Sequence, residues 1–250
     1  MHRFYCPEIV FDNPPIIITD AKELHHLRDV LRLKKGDKVQ VFNQNGEEAT
    51  GRVLASQPRQ VSVSVESIRK HAPRLPWITL ACAIPKKSKF EWIIEKSVEL
   101  GVDEIIPLMT RRTEIELKGE RLEKRTVRYQ EVAVNAAKQS QRLTVPIIHA
   151  AVDFPSALTM LSKDTVVFIP SLVGPRRNIL EAIRGVPSPK RIAFLIGPEG
   201  DFTPEEYALA RQSGCIPVSL GETVLKVETA AIAAVVCANL FYSDARKPCP

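Results

Sequence analysis

Two stretches in the last third of the chain have the residue types and spacing of a turn that grips a ligand. In IAFLIGPEGDFTPEE, residues 192–206, an apolar run stops at Gly197-Pro198-Glu199-Gly200, and Thr203-Pro204-Glu205-Glu206 follows. Thr203 is placed to cap a helix, with proline at the first helical position and a carboxylate at the third. In an open α/β sheet, ligands bind beyond the carboxyl ends of the strands. Glycines there admit a close backbone approach, and a helix start offers free N–H groups. In PVSLGETVLKVETAAIAA, residues 217–234, a short run ends at Leu220-Gly221, a loop carries Lys226 and Glu228, and Thr229 precedes an Ala-rich stretch. Each has a plainer reading: GPEG as a connecting turn, and Glu228 or Thr229 as a helix cap. Neither stretch is G-x-G-x-x-G or a Walker loop, which disfavours a nucleotide-dependent oxidoreductase. The histidines show no H-x-x-x-H spacing and the five cysteines no C-x-x-C pair, so no metal is expected.

The elements that must position these turns come in two grammars. Before residue 70 the chain reads as mostly β. Leu24, Leu27 and Leu31 recur at helical spacing after Asp20, which has Glu23 three positions on. KVQVF and ATGRVLA form a hairpin around QNGEE, and VSVSV turns Val61, Val63 and Val65 inward. RKHAPRLP, residues 69–76, is the expected linker. From Trp77, apolar runs (ITLACAI, EIIPLM, VVFI, IAFLI, PVSL) alternate with helical stretches, which predicts a parallel sheet covered by helices. Ser88 and Glu91 form a capping box ahead of Phe90, Ile94 and Val98, with Gly101 ending that helix. The last helix is expected over about Ala230 to Tyr242, its small residues permitting close packing.

The chain has 250 residues, 44% hydrophobic and 26% charged, as a folded protein of one large or two modest domains should. No apolar run is long enough for a membrane span. Scattered cysteines and the absence of a signal-peptide pattern predict a cytoplasmic protein. Lys and Arg exceed Asp and Glu by 6, compatible with a polyanionic partner. Two basic runs stand out: Lys22 to Lys38, with six Lys/Arg against three acids, and Arg111 to Arg142, with nine against five. Solvated helix faces and nucleic-acid contact are comparable readings of such runs.

IGPEG followed by LG-x₆-ETA (Gly221 to Ala230) resembles the SPOUT-class methyltransferases, and more narrowly the small-subunit (16S) ribosomal RNA uridine N3-methyltransferases. Lys86 to Leu108 resembles that family's first helix and second strand of the methyltransferase domain, Ala136 to Pro146 its glutamine-serine segment, and His25 to Asp37 its PUA-like RNA-binding module. The resemblance implies a C-terminal SPOUT α/β trefoil-knot domain over 73–250 with a small N-terminal PUA-like β-barrel domain over 1–72. It also implies an obligate homodimer that binds S-adenosyl-L-methionine and acts on ribosomal RNA or the small ribosomal subunit.

On that reading Pro170, Ser171, Ile196, Gly197, Gly200, Leu220, Gly221, Leu225 and Thr229 hold the cofactor. Glu199 and Glu228 are the candidate bases for the uracil N3 proton, and Lys226 stabilises the developing negative charge. His25, Arg28, Arg32, Lys86, Arg112 and Arg142 contact RNA. Asp201, Thr223, Lys226, Asn135 and Lys138 depart from the family pattern, where glycine, arginines and glutamates are usual. A non-catalytic RNA-binding homologue and a SPOUT enzyme for another RNA are the alternatives.

Overall fold

The computed structural model describes residues 1–70, 72, 75–86, 89–115, 117–161 and 163–244. Two compact units make up the chain, Met1–Pro73 with Ala137–Val145, and Arg74–Ala136 with Pro146–Pro250.

The first unit contains β1 (His2–Tyr5), β2 (Ile16–Ile18), α1 (Ala21–His25), β3 (Lys38–Phe42), β4 (Glu47–Gln57), β5 (Gln60–Val63) and β6 (Ser67–Lys70). The sheet order is β1-β3-β4-β5-β2, with β6 also on β4. The expected hairpin is β3 with β4, antiparallel, Phe42 opposite Glu48. Val61 and Val63 face the core with Phe4, Leu27, Val39 and Val41, and Val65 packs at its edge. β4 serves several neighbours because it shifts register between Val53 and Ala55.

Gly51, on β4, lies so close to the Ser64 carbonyl that any Cβ would collide with it. The Asp20 side chain accepts the Glu23 N–H, the first half of a capping box. The second half is missing, because the Glu23 carboxylate is committed to Lys138 Nζ at 2.8 Å. After His25 the helix widens into a π turn over His26–Val30, a departure from the plain helix expected. β6 takes in Arg69 and Lys70, so the expected linker starts inside a strand. His71, Pro73 and Arg74 of that linker lie outside the described residues.

The second unit contains β7 (Trp77–Ala83), α2 (Lys89–Glu99), β8 (Glu104–Met109), α3 (Gly119–Gln139), β9 (Ile147–Ile148), β10 (Val152–Asp153), α4 (Phe154–Met160), β11 (Thr165–Pro170), β12 (Arg177–Asn178), α5 (Ile179–Arg184), β13 (Arg191–Ile196), α6 (Pro204–Gln212), β14 (Ile216–Ser219) and α7 (Val227–Asp244). α3 runs on into the segment that belongs to the first unit. The strands are parallel, in the order β10-β8-β7-β13-β11-β14-β12 with β9 beside β8. β7 and β13, at the centre, are buried along almost their whole length, as the unbroken apolar runs require.

Phe90, Ile94 and Val98 of α2 are buried and Gly101 ends that helix at φ +95°. Ser88, its expected cap, lies outside the described residues. Thr203 and Glu206 complete a reciprocal capping box on α6, with bonds of 3.3 and 2.8 Å. α7 begins at Val227, so Glu228 and Thr229 occupy its first turn and neither is its cap. Through Ala231, Ala234 and Ala238, all buried, α7 returns from beyond β14 to pack on β7, β13, α2 and α5.

Candidate functional site

Strand order brings the turns together. β11 lies between β13 and β14, so the carboxyl ends of the three strands are neighbours. Beyond β13, the Asp201 N–H donates to the Pro198 carbonyl at 2.9 Å, closing a turn in which Asp201 takes φ +62°. Beyond β14, Ser219 Oγ bonds both the carbonyl (2.9 Å) and the N–H (3.3 Å) of Gly221, which stands at φ +137° with open space around it. Beyond β11, Ser171 donates its N–H to Val218 at 3.0 Å and its hydroxyl to the Val173 carbonyl at 2.7 Å. Between these turns lies a cavity of about 350 Å³, within the size range of small-molecule sites.

Of the residues expected to hold a cofactor, Pro170, Ser171, Ile196, Gly197, Leu220, Gly221 and Leu225 line this cavity. Gly200 and Thr229 are not in its lining. A Cβ at Gly200 would face Arg112 at 3.3 Å, so its glycine makes room for that side chain. Glu199 and Lys226 line the cavity; Glu228 does not, and forms an ion pair with Lys89 at 2.8 Å. The bond from Lys89 holds the Glu228 carboxyl below the ordinary carboxylate range. Glu199 Oε1 instead accepts the Lys86 backbone N–H at 3.1 Å.

Sequence reading missed Lys89, Arg176 and Glu222, the last two of which line the cavity. No local motif marked Arg176 and Glu222: only the meeting of separate turns gives them a site. Of the departures from the family pattern, Asp201, Thr223 and Lys226 line the cavity as well. Lys138 is committed to Glu23, with both side chains largely buried.

The six residues expected to meet RNA are dispersed. His25 pairs with Asp29 at 2.8 Å on an exposed helix face. Arg28 donates to the Pro58 carbonyl at 2.7 Å, and Arg32 is exposed at φ +54°. Arg142 reaches Thr144 Oγ1 at 3.3 Å. Lys86 and Arg112 stand together at the Glu199–Gly200 turn, where Arg112 bonds the Gly200 and Phe202 carbonyls and Lys86 Nζ meets Glu114 at 2.7 Å. Among the described residues no group of His, Cys, Asp and Glu is arranged to hold a metal ion, and no helix is long and apolar enough to cross a membrane.

Residues 73–239 match the RNA methyltransferase domain family, and residues 18–66 the RNA methyltransferase PUA domain. Ribosomal RNA small subunit methyltransferase E of Rickettsia conorii is 30% identical over 97% of this chain and 96% of its own. The protein of the same name from Synechocystis is 34% identical over 94% of this chain and 75% of its own. A Neisseria gonorrhoeae ribosomal RNA small subunit methyltransferase E, solved bound to S-adenosyl methionine, superposes with a TM-score of 0.85 at 29% identity, covering 96% of this chain and 97% of that one. A putative methyltransferase of Legionella pneumophila in complex with the same cofactor gives 0.82 at 29% identity, covering 97% of each. The fold class is thus the one expected, an α/β SPOUT trefoil-knot domain preceded in the chain by a small PUA-like β domain. With a matching methyltransferase domain, a matching PUA domain and full-length relatives of one name, the chain belongs to the ribosomal RNA small subunit methyltransferase E family.

Proposed function

We propose that the chain is an S-adenosylmethionine-dependent methyltransferase that methylates N3 of a uridine in small-subunit ribosomal RNA. The observation carrying this reading is a cavity between three strand-end turns, lined by main chain and by one of the two acids expected to act as base. The cavity suits the cofactor: Gly221 leaves open space where a side chain would intrude.

The cofactor, when bound, supplies an electrophilic methyl group on a sulfonium. This chain aligns the acceptor and excludes water from the cavity. Uracil N3 is a good nucleophile only after losing its proton. Glu199, not locked in an ion pair as Glu228 is, is the acceptor for that proton. Lys226, on the opposite turn, offsets the negative charge that develops on the base. N3 lies on the Watson–Crick edge, so the nucleotide must be unpaired or extruded to reach the cavity.

In the same proposal residues 1–72 form the RNA-binding domain and 73–250 the methyltransferase domain, with His25, Arg28, Arg32, Lys86, Arg112 and Arg142 facing RNA. The enzyme acts in the cytoplasm as a homodimer. Sedimentation velocity at micromolar concentration should give twice the chain mass. The decisive test is mass spectrometry of ribosomal RNA from cells with and without the gene. One methyluridine should disappear from small-subunit RNA on deletion and return with the gene. An unchanged methylation pattern would overturn the reading.

A further inference from the structure

Asp201 is the cavity residue whose position is hardest to explain by folding alone. A non-glycine residue at φ +62° is uncommon, and it persists where surroundings fix it. Two donors fix it here, the Phe202 N–H at 2.8 Å and the Tyr207 hydroxyl at 2.7 Å, and both use Oδ1. Among the described residues nothing hydrogen-bonds to Oδ2, and Asp201 lines the cavity.

Tyr207 stands behind the wall on α6, buried. Burial first, and then the Asp201 carboxylate, push that phenol well above its ordinary range, so it stays a donor at any physiological pH. The remaining charged residues of the lining are Glu199, Glu222, Arg176 and Lys226. Three carboxylates against two cations leave the wall with one net negative charge.

We propose that Asp201, oriented by Tyr207, is a specificity-determining residue that lets the cavity distinguish the sulfonium donor from its thioether product. The proposal rests on the methyl-transfer reading above. When the methyl carbon leaves for the acceptor nitrogen, the C–S bonding pair stays on sulfur and the sulfonium charge is lost. The donor therefore carries one more positive charge than the product, and a carboxylate in the wall favours the donor by a Coulomb term the product lacks. The same term lets the donor outcompete the spent cofactor for the cavity.

The test is calorimetric titration of the full chain with S-adenosylmethionine and with S-adenosylhomocysteine, taking the ratio of the two Kd values. Asp201→Asn, nearly isosteric, should shift that ratio toward the product by about three- to tenfold. Asp201→Gly should shift it equally; glycine suits the backbone at φ +62°, so this variant keeps the test alive should the asparagine fail to fold. Tyr207→Phe should shift the ratio in the same direction by less. Equal weakening of both ligands in the Asp201 variants, with the ratio unchanged, would reduce Asp201 to a structural residue and overturn the inference. A folded wild-type chain that binds neither ligand would overturn the methyl-transfer reading and the inference with it.

Discussion

Glu199 and Glu228 offer the same functional group in different electrostatic settings. Glu228 gives its carboxylate to Lys89 at 2.8 Å and is held in the charged, weakly basic form. Glu199 faces the cavity with one neutral N–H donor on Oε1. Glu199→Gln should therefore lower kcat by about 10²–10⁴-fold, the usual range for losing a general base. Glu228→Gln should cost much less in kcat, since it removes a partly exposed ion pair worth at most about 1 kcal/mol.

A second carboxylate matters for stability. Glu104 starts β8 at the opposite end of the strands from the cavity and meets His149 (2.8 Å), Thr79 (2.7 Å), Arg191 (3.2 Å) and Trp77 (3.3 Å). Burial opposes its charge, but the bonds from His149 and Thr79 and the charges of His149 and Arg191 prevail and bring it down to about 2. A depressed carboxylate stabilises the fold above its unfolded value and ceases to as pH falls through the folded one. Urea titrations should lose stability between about pH 4.5 and pH 2, on the order of 2–3 kcal/mol, and Glu104→Gln should flatten that limb. At this scale the residue types were legible in the sequence, but their pairings were not. Lys89 and Glu228 are 139 positions apart, and nothing local says that one neutralises the other.

Elements were more legible than contacts, for reasons their residues make plain. α6 follows from Thr203-Pro-Glu-Glu because capping is settled within four positions, and the structure holds both reciprocal bonds. β7 and β13 follow from unbroken apolar runs, since a parallel strand covered on both faces has no solvent side. The start of α7 was misplaced because Thr229 is a good cap by type, whereas the helix already begins at Val227. The π turn after His25 left no mark, since it changes backbone pairing and not composition. Gly51 is likewise silent in sequence, an ordinary glycine between Thr50 and Arg52. Its reason is the Ser64 carbonyl, a backbone atom that no rotamer change can move aside. Gly51→Ala should accordingly destabilise the β unit by about 1–3 kcal/mol, the usual cost of overpacking, seen as a lower urea midpoint with unchanged slope. A midpoint equal to wild type would mean that β4 and the Ser64 strand end separate at little cost.

At the scale of the whole molecule, the chain divides near residue 73, where its sequence changes character, but one later segment crosses that division. Ala137–Val145, deep within the methyltransferase-like sequence, belongs with the N-terminal residues. All five N–H groups of Arg3 are used there: Nε and Nη2 bind Glu48, Nη1 the Ala137 and Lys138 carbonyls, and Nη2 also the Arg142 carbonyl. Cutting after residue 72 would strand the Lys138 ammonium and these carbonyls, so a truncated chain measures lost folding together with lost RNA contact.

Surface charge is the cleaner probe. Arg32 and Lys35 are exposed, whereas Arg28 is tied to Pro58. If the basic run from Lys22 to Lys38 tracks phosphates, Arg32→Gln with Lys35→Gln should weaken binding to small-subunit RNA several-fold. The slope of log K against log salt should become shallower by about 0.7–0.9 per lost contact. Donor affinity and thermal midpoint should hold at wild-type values, because neither side chain touches the cavity. An unchanged slope would assign that run to solvent, and RNA recognition would then fall to Lys86 and Arg112, the basic residues whose backbone and side chain, respectively, already meet the Glu199–Gly200 turn.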